Sequence, residues 1–205
     1  ENIVSVELGH RPEKANEGMI THRCNPELEM RRNPTILSKE IKATSDLFCI
    51  EGVRLKFSNG AERCYERLTP KGTGYGAVMV VALLDEHHAL LIEEYCVGTD
   101  RYQITLPKGL IEPGEDVLTA ANRELMEEAG YGARSLEHLT ELSLSPGYIS
   151  QKIQIVLERD LYPQCLEGDE PEPLRLDRVH LGELLALSNH PDFDEGRALA
   201  ALYLV

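Results

Sequence analysis

The chain has 205 residues, 42% of them hydrophobic, enough for one substantial core with some added strands. A formal net charge of −14 argues against nucleic-acid backbones as the main partner, and no run of about 18 apolar residues points to a membrane. The cysteines Cys24, Cys49, Cys64, Cys96 and Cys165 are scattered, odd in number and without CxxC spacing, which fits a reducing cytoplasm.

Residues 1–29 are polar, lack periodicity and precede Met30. They read as a leader, disordered or not native, with the biological start near Met30. From Leu47 the pattern LFCIEGVRLKF alternates, Ser58-Asn59-Gly60 supplies hairpin turn chemistry and AERCYERL returns, so residues 30–70 are expected to form an antiparallel β-ribbon. YGAVMVVALL, from Tyr75 to Leu84, is apolar on both sides and reads as a buried central strand. Asp85-Glu86-His87-His88 turns the chain into ALLIEEYC, and RYQITLP forms a further short strand.

The next segment, from Gly109 to Tyr131, crowds five glutamates and one arginine into a turn and a helix. Pro113-Gly114 makes the turn, Asp116 sits where an N-cap belongs, and Gly130 falls where a left-handed residue would stop the helix. At about 100° per residue, Val117, Leu118, Ala121, Leu125 and Ala129 gather on a core face. Glu124, Glu127 and Glu128 occupy an adjoining arc of about 100°, with Glu128 close to the apolar edge. Two of them sit in the last turn, which the helix dipole disfavours by a few tenths of a kcal/mol or more each. Arg123 is the only base within the helix, placed to pair with Glu127 at i,i+4, so most of the charge lacks a protein partner. A solvated acidic helix is the plain alternative; a hard divalent cation held by carboxylate oxygens is the functional one.

Beyond it come a strand near Leu136 to Leu144, the loop SPGYIS and a strand KIQIVLERDL. An acidic loop, LEGDEPEPL, precedes a last strand and helical stretches around His180 to Leu187 and Glu195 to Leu204. Strands on both sides of a helix, with no fixed-period repeat, predict an α/β sandwich with a mixed sheet over residues 71–205.

The spacing of Gly109, Glu115, Arg123-Glu124-Leu125, Glu127-Glu128 and Gly130-Tyr131 resembles the Nudix box at every fixed position. The resemblance implies a Nudix-type α/β/α fold and a hydrolase that cleaves nucleoside diphosphate derivatives with Mg²⁺ or Mn²⁺. It implies Glu124, Glu127 and Glu128 as metal ligands, Glu115 as a supporting carboxylate, Arg123 as the group orienting a ligand glutamate, and Gly109 facing the metal. Pro146 lies fifteen residues beyond Tyr131, which resembles the family's ADP-ribose and ADP-sugar pyrophosphatases, although Pro-Gly is also ordinary turn chemistry. The ribbon, LPKGLIEPGE, LEGDEPEP and the closing DFDEGRALAALYLV extend the likeness from about Pro34 to Val205.

That branch implies a catalytic glutamate in the acidic loop, for which Glu172 is the best match and Glu170 the second. It also places an arginine before the box where this chain has Glu94-Tyr95-Cys96, so Arg63, Arg67 and Arg101 are the candidates for the diphosphate, each equally readable as a surface residue. Phe48, Tyr102 and Tyr148 are available to adenine or to core packing. The implied enzyme is a cytoplasmic homodimer, its ribbon exchanged across the two-fold, acting on ADP-ribose without nucleic-acid or membrane partners. Diadenosine polyphosphates, NADH or GDP-sugars are alternative substrates; a non-catalytic nucleotide-binding module and a purely structural metal site are alternatives of another class.

Overall fold

The structure is a computed structural model that describes residues 32–71 and 76–205. The leader expected over residues 1–29 lies outside the described residues, as does Tyr75. The alternating segment forms β2 (Phe48–Lys56) and β3 (Glu62–Pro70), paired antiparallel. In the turn between them Gly60 takes a φ of 84°, and Asn59 accepts from the Ala61 N–H at 3.0 Å. A further strand, β1 (Thr35–Thr44), pairs with the other edge of β2, so the ribbon has three strands. All ten residues of β1 are exposed. The ribbon is stitched to the rest at Leu68, whose N–H donates to Tyr148 O at 2.7 Å and whose carbonyl accepts from Ser150 N–H at 3.1 Å.

The apolar run becomes β4 (Ala77–Ala82), buried at every position. Its place explains why: it lies inside a sheet of order β7-β4-β9-β8, built with β7 (Lys108–Leu110), β8 (Tyr131–Ser143) and β9 (Lys152–Pro163). The β4–β9 pair is parallel and the other two pairs are antiparallel. Because side chains alternate across a strand, β4 feeds two cores. Val78, Val80 and Ala82, with Val156, pack on Ala120, Ala121, Leu125 and Ala129 of helix α1 (Val117–Glu128) and its cap. Met79 and Val81, with Ile155 and Leu157, face the opposite way. There they meet Leu91, Val179, Phe193, Ala201 and Leu202, from the second sheet and the C-terminal segment. Each large aliphatic side chain among them contributes about 1.5–3 kcal/mol on burial.

The second sheet is antiparallel, of order β10-β5-β6, with β5 (His88–Cys96), β6 (Arg101–Thr105) and β10 (Arg175–His180). A 3₁₀ turn capped by His180, then α2 (Leu184–Leu187) and α3 (Gly196–Leu202), close the second core. The mixed sheet between helical layers agrees with the expected α/β/α sandwich. Local bounds differ: β8 starts at Tyr131, directly after the helix stop, and the short edge strand β7 carries too few residues to show a period. No helix among the described residues is long and apolar enough to cross a membrane.

One buried group opposes this arrangement. Glu158 on β9 is fully buried, and neither carboxyl oxygen finds a hydrogen-bond partner among the described residues. Burial pushes its pKa up to about 8. The folded chain thus keeps a proton that the unfolded chain, titrating near 4.5, has released, so stability falls as pH rises from about 4.5 to about 8. Glu158→Met is expected to stabilise the protein, by about 1–3 kcal/mol more near pH 8 than near pH 5, as read by denaturant titration. Equal stabilisation at both pH values would show that Glu158 is not held protonated.

Candidate active site

The acidic segment adopts the punctuation its residues dictate. Gly114 turns with a φ of 88°, Asp116 Oδ1 accepts from the N–H groups of Leu118 and Thr119 at 3.0 and 3.1 Å, and Gly130 stops the helix at a φ of 71°. The expected core face is present, with Ala121, Leu125 and Ala129 buried and Val117 and Leu118 packed at its margin; Ala120 joins it. Glu124 and Glu128 are themselves buried, so the acidic arc is not a solvated face.

Arg123 organises the box. Its Nε donates to Glu115 Oε1 at 3.0 Å, Nη1 to Glu124 Oε1 at 2.8 Å and to Glu127 Oε2 at 2.7 Å, and Nη2 to Leu110 O at 2.9 Å and Glu115 Oε2 at 3.1 Å. The guanidinium therefore joins the helix, the turn before it and strand β7. Its bond holds the Glu115 carboxyl below the usual range, and the Glu112 N–H adds to the effect. Burial pushes Glu124 up despite Arg123.

Glu128 makes no bond to Arg123. Its Oε2 accepts from the Lys108 N–H at 2.9 Å, and burial pushes its pKa up to about 8 against the opposing Lys108 charge. Carboxyl oxygens of Glu94, Glu128 and Glu170 all lie within 4.8 Å of one another. Lys108 Nζ donates to Glu94, and burial followed by the Glu94 charge pushes Glu170 up. These groups line a cavity of about 240 Å³ with Gly109, Leu110 and Arg197. Gly109 permits a close approach: a Cβ there would collide with the Glu124 carboxylate, which would have to swing aside.

The donor set fits a hard divalent cation. Every candidate ligand is a carboxylate, the carboxylates outnumber Lys108, Arg123 and Arg197, and burial raises the pKa of Glu124, Glu128 and Glu170, a penalty on their charged forms that a cation would offset. Glu124, Glu127, Glu128, Glu94 and Glu170 are the residues present to hold it.

The acidic loop crosses this site. Leu166 N–H donates to Met126 O at 3.1 Å at the helix end, and Gly168 packs against Glu127. Glu170 then enters the carboxylate cluster, whereas Glu172 accepts from the Tyr102 hydroxyl. A second cavity of about 270 Å³, between the loop and Glu127, is lined by Glu172 and shares Glu128 and Glu170 with the first.

None of the other expected substrate contacts lines either cavity. Arg63 is exposed and donates to Glu62 O, Arg67 is paired with Glu51 at 2.6 Å, and Arg101 is bound to Pro191 O at 2.8 Å and to Asp194. Phe48 begins β2 and is exposed; Pro146 and the exposed Tyr148 form the turn that holds the ribbon. The cavity residues that sequence reasoning missed are Glu94, Lys108 and Arg197. Glu94 alone left a signal, as one of two adjacent glutamates that end the apolar run of β5; the arginine expected after the aromatic would have stood at Cys96.

A helix-borne carboxylate box ordered by one arginine, set on the edge of a mixed sheet, defines a class, and the relatives agree. The chain belongs to the Nudix family: the NUDIX domain model matches residues 75–192, and the model of the NudE-type Nudix hydrolase N-terminal domain matches residues 34–67. It is 52% identical to ADP compounds hydrolase NudE of Escherichia coli (strain K12), over 85% of this chain and 92% of that protein. It is 32% identical to the ADP-ribose pyrophosphatase of Bacillus subtilis (strain 168), over 63% of this chain and 71% of that one. A crystal structure of an ADP compounds hydrolase superposes with a TM-score of 0.77 at 50% identity, over 84% of this chain and 92% of that one.

Gly109→Ala is expected to displace the Glu124 carboxylate and weaken Mn²⁺ binding by about tenfold or more, with the fold retained. Calorimetric titration with Mn²⁺ checks it, and unchanged affinity would exclude Glu124 from the metal site.

Proposed function

We propose that this enzyme hydrolyses the diphosphate bond of ADP-containing compounds, ADP-ribose first among them, with Mg²⁺ or Mn²⁺ as cofactor. The products are AMP and a phosphorylated partner such as ribose 5-phosphate. The observation that carries the reading is the convergence of Glu94, Glu128 and Glu170 beside the Arg123-ordered pair Glu124 and Glu127. The names of the relatives support the ADP class.

The cation supplies charge neutralisation at the diphosphate and a more acidic water when bound. The chain's own residues do the rest. Arg123 keeps Glu124 and Glu127 aimed at one place, so little reorganisation is needed at the moment of reaction. Glu128 and Glu94 bring their oxygens to the same cavity. Water attacks one phosphorus, the bridging P–O bond breaks, and the water's proton passes to a carboxylate. Position in the cluster favours Glu170 for that role, while Glu172, tied to Tyr102, anchors the loop that carries it.

With Mg²⁺ the protein is expected to convert ADP-ribose to AMP and ribose 5-phosphate, followed by phosphorus NMR. Glu127→Gln should lower kcat by several orders of magnitude without moving Tm. Turnover that persists in excess chelator, or survives Glu127→Gln, would sink the metal assignment.

The reading extends to assembly: residues 30–70 form the dimerising ribbon and residues 71–205 the hydrolase domain. The exposed β1 carries Ile36, Leu37 and Ile41 on a ribbon with little core of its own, which supports a second copy of the chain as their cover. The free cysteines Cys49, Cys64, Cys96 and Cys165 support a reducing, cytoplasmic setting. In light scattering the protein is expected at about twice its 23.0 kDa, with Ile36→Glu/Ile41→Glu shifting it to the monomer mass. A monomeric wild type would refute the assembly and leave the chemistry untouched.

A further inference from the structure

The polar residues of β6 serve neither core. Arg101, Gln103 and Thr105 alternate along the strand, so they share one face. All three reach the segment before α3: Arg101 and Gln103 bind Asp194, and Thr105 Oγ1 donates to Glu195 Oε2 at 3.0 Å. Gln103 and Thr105 are buried, and Thr99 Oγ1 donates to Gln103 Oε1 at 2.9 Å, which fixes the amide. Ile104 N–H adds a main-chain bond to Asp192 O at 2.7 Å. This polar ladder holds the C-terminal segment at a set height over the sheet.

What the ladder delivers is Arg197, the second residue of α3, whose side chain lines the carboxylate cavity together with Glu94, Lys108, Glu128 and Glu170. Arg197 Nε donates to Glu195, the same carboxylate that Thr105 holds, so the guanidinium is oriented through a chain of bonds that starts on the sheet. Its Nη groups donate to no acceptor among the described residues. A guanidinium fixed at Nε keeps a two-pronged edge for two oxygens of one phosphoryl group.

We infer that Arg197 binds the substrate diphosphate through that edge, which makes the C-terminal helix part of the substrate site. The inference rests on the diphosphatase reading above. Lys108 lines the same cavity, but its ammonium, shared with Glu94, is a point charge without a planar fork to match two phosphoryl oxygens. Arg63, Arg67 and Arg101 lie outside the cavity, and Arg123 is committed to its carboxylates, so among the described residues of one chain Arg197 is the arginine at hand for a phosphoryl group there.

The test is steady-state kinetics on ADP-ribose with Mg²⁺ for wild type, Arg197→Met and Arg197→Lys, beside their Tm values. Arg197→Met is expected to raise KM by about 10- to 100-fold, the scale of a lost bidentate charge-assisted contact, with a smaller change in kcat. Arg197→Lys should restore Tm but not KM, since a point charge balances Glu195 without forming the fork. If Arg197 is only a counter-charge for Glu195, Lys will restore both, and the inference fails; it fails equally if neither variant moves KM. If Arg197→Met does not fold, Arg197→Lys alone decides. Calorimetric titration with α,β-methylene-ADP separates the two readings. A wild type that binds this analogue but cleaves no ADP compound overturns the hydrolase reading, while the variants' affinities still judge Arg197.

Discussion

The site depends on one guanidinium. Arg123 donates to Glu115, Glu124, Glu127 and the Leu110 carbonyl, and so ties turn, helix and edge strand into one unit. Without it, several carboxylates packed on one helix face would repel one another and draw protons. With it, Glu115, Glu124 and Glu127 share a cation, and Glu128, which Arg123 does not bind, is left buried against the Lys108 N–H. The box thus holds its carboxyls in two bonding settings. That contrast suits a site where some groups are aimed in advance while the local charge still awaits compensation.

Burying charge in this way is unfavourable, and the sheet provides the stability to tolerate it. β4 is covered on both faces, and its alternating side chains join two cores that together brace the helix and the C-terminal segment. The functional groups then come from the margins: β7 at the sheet edge, the end of β5, the acidic loop strapped to the end of α1, and α3. Margins can present polar groups to a cavity, whereas the interior of the sheet cannot do so without cost. Glu158 illustrates that cost, as a carboxyl inside the sheet with no partner among the described residues.

Much of the site could be read from the residues because it is local. Asp116 as cap, Gly130 as stop, the Ala121–Leu125–Ala129 face and the Glu124–Glu127–Glu128 arc follow from offsets along one helix, where spacing and geometry are the same information. The alternation of β2 and the turn at Gly60 are local for the same reason. Glu170 and Glu172 were both recognisable as loop carboxylates, but the difference between them depends on Tyr102, 70 residues from Glu172 in sequence.

Neighbouring residues alone therefore specify the helix, its acidic arc, the ribbon hairpin and the family chemistry. Folding added what no local pattern carries: Glu94, Lys108 and Arg197 share the cavity with Glu128. They come from β5, β7 and α3, and no periodicity links positions whose approach is set by strand pairing and by the ladder on β6. Long-range register, rather than local propensity, brings them together.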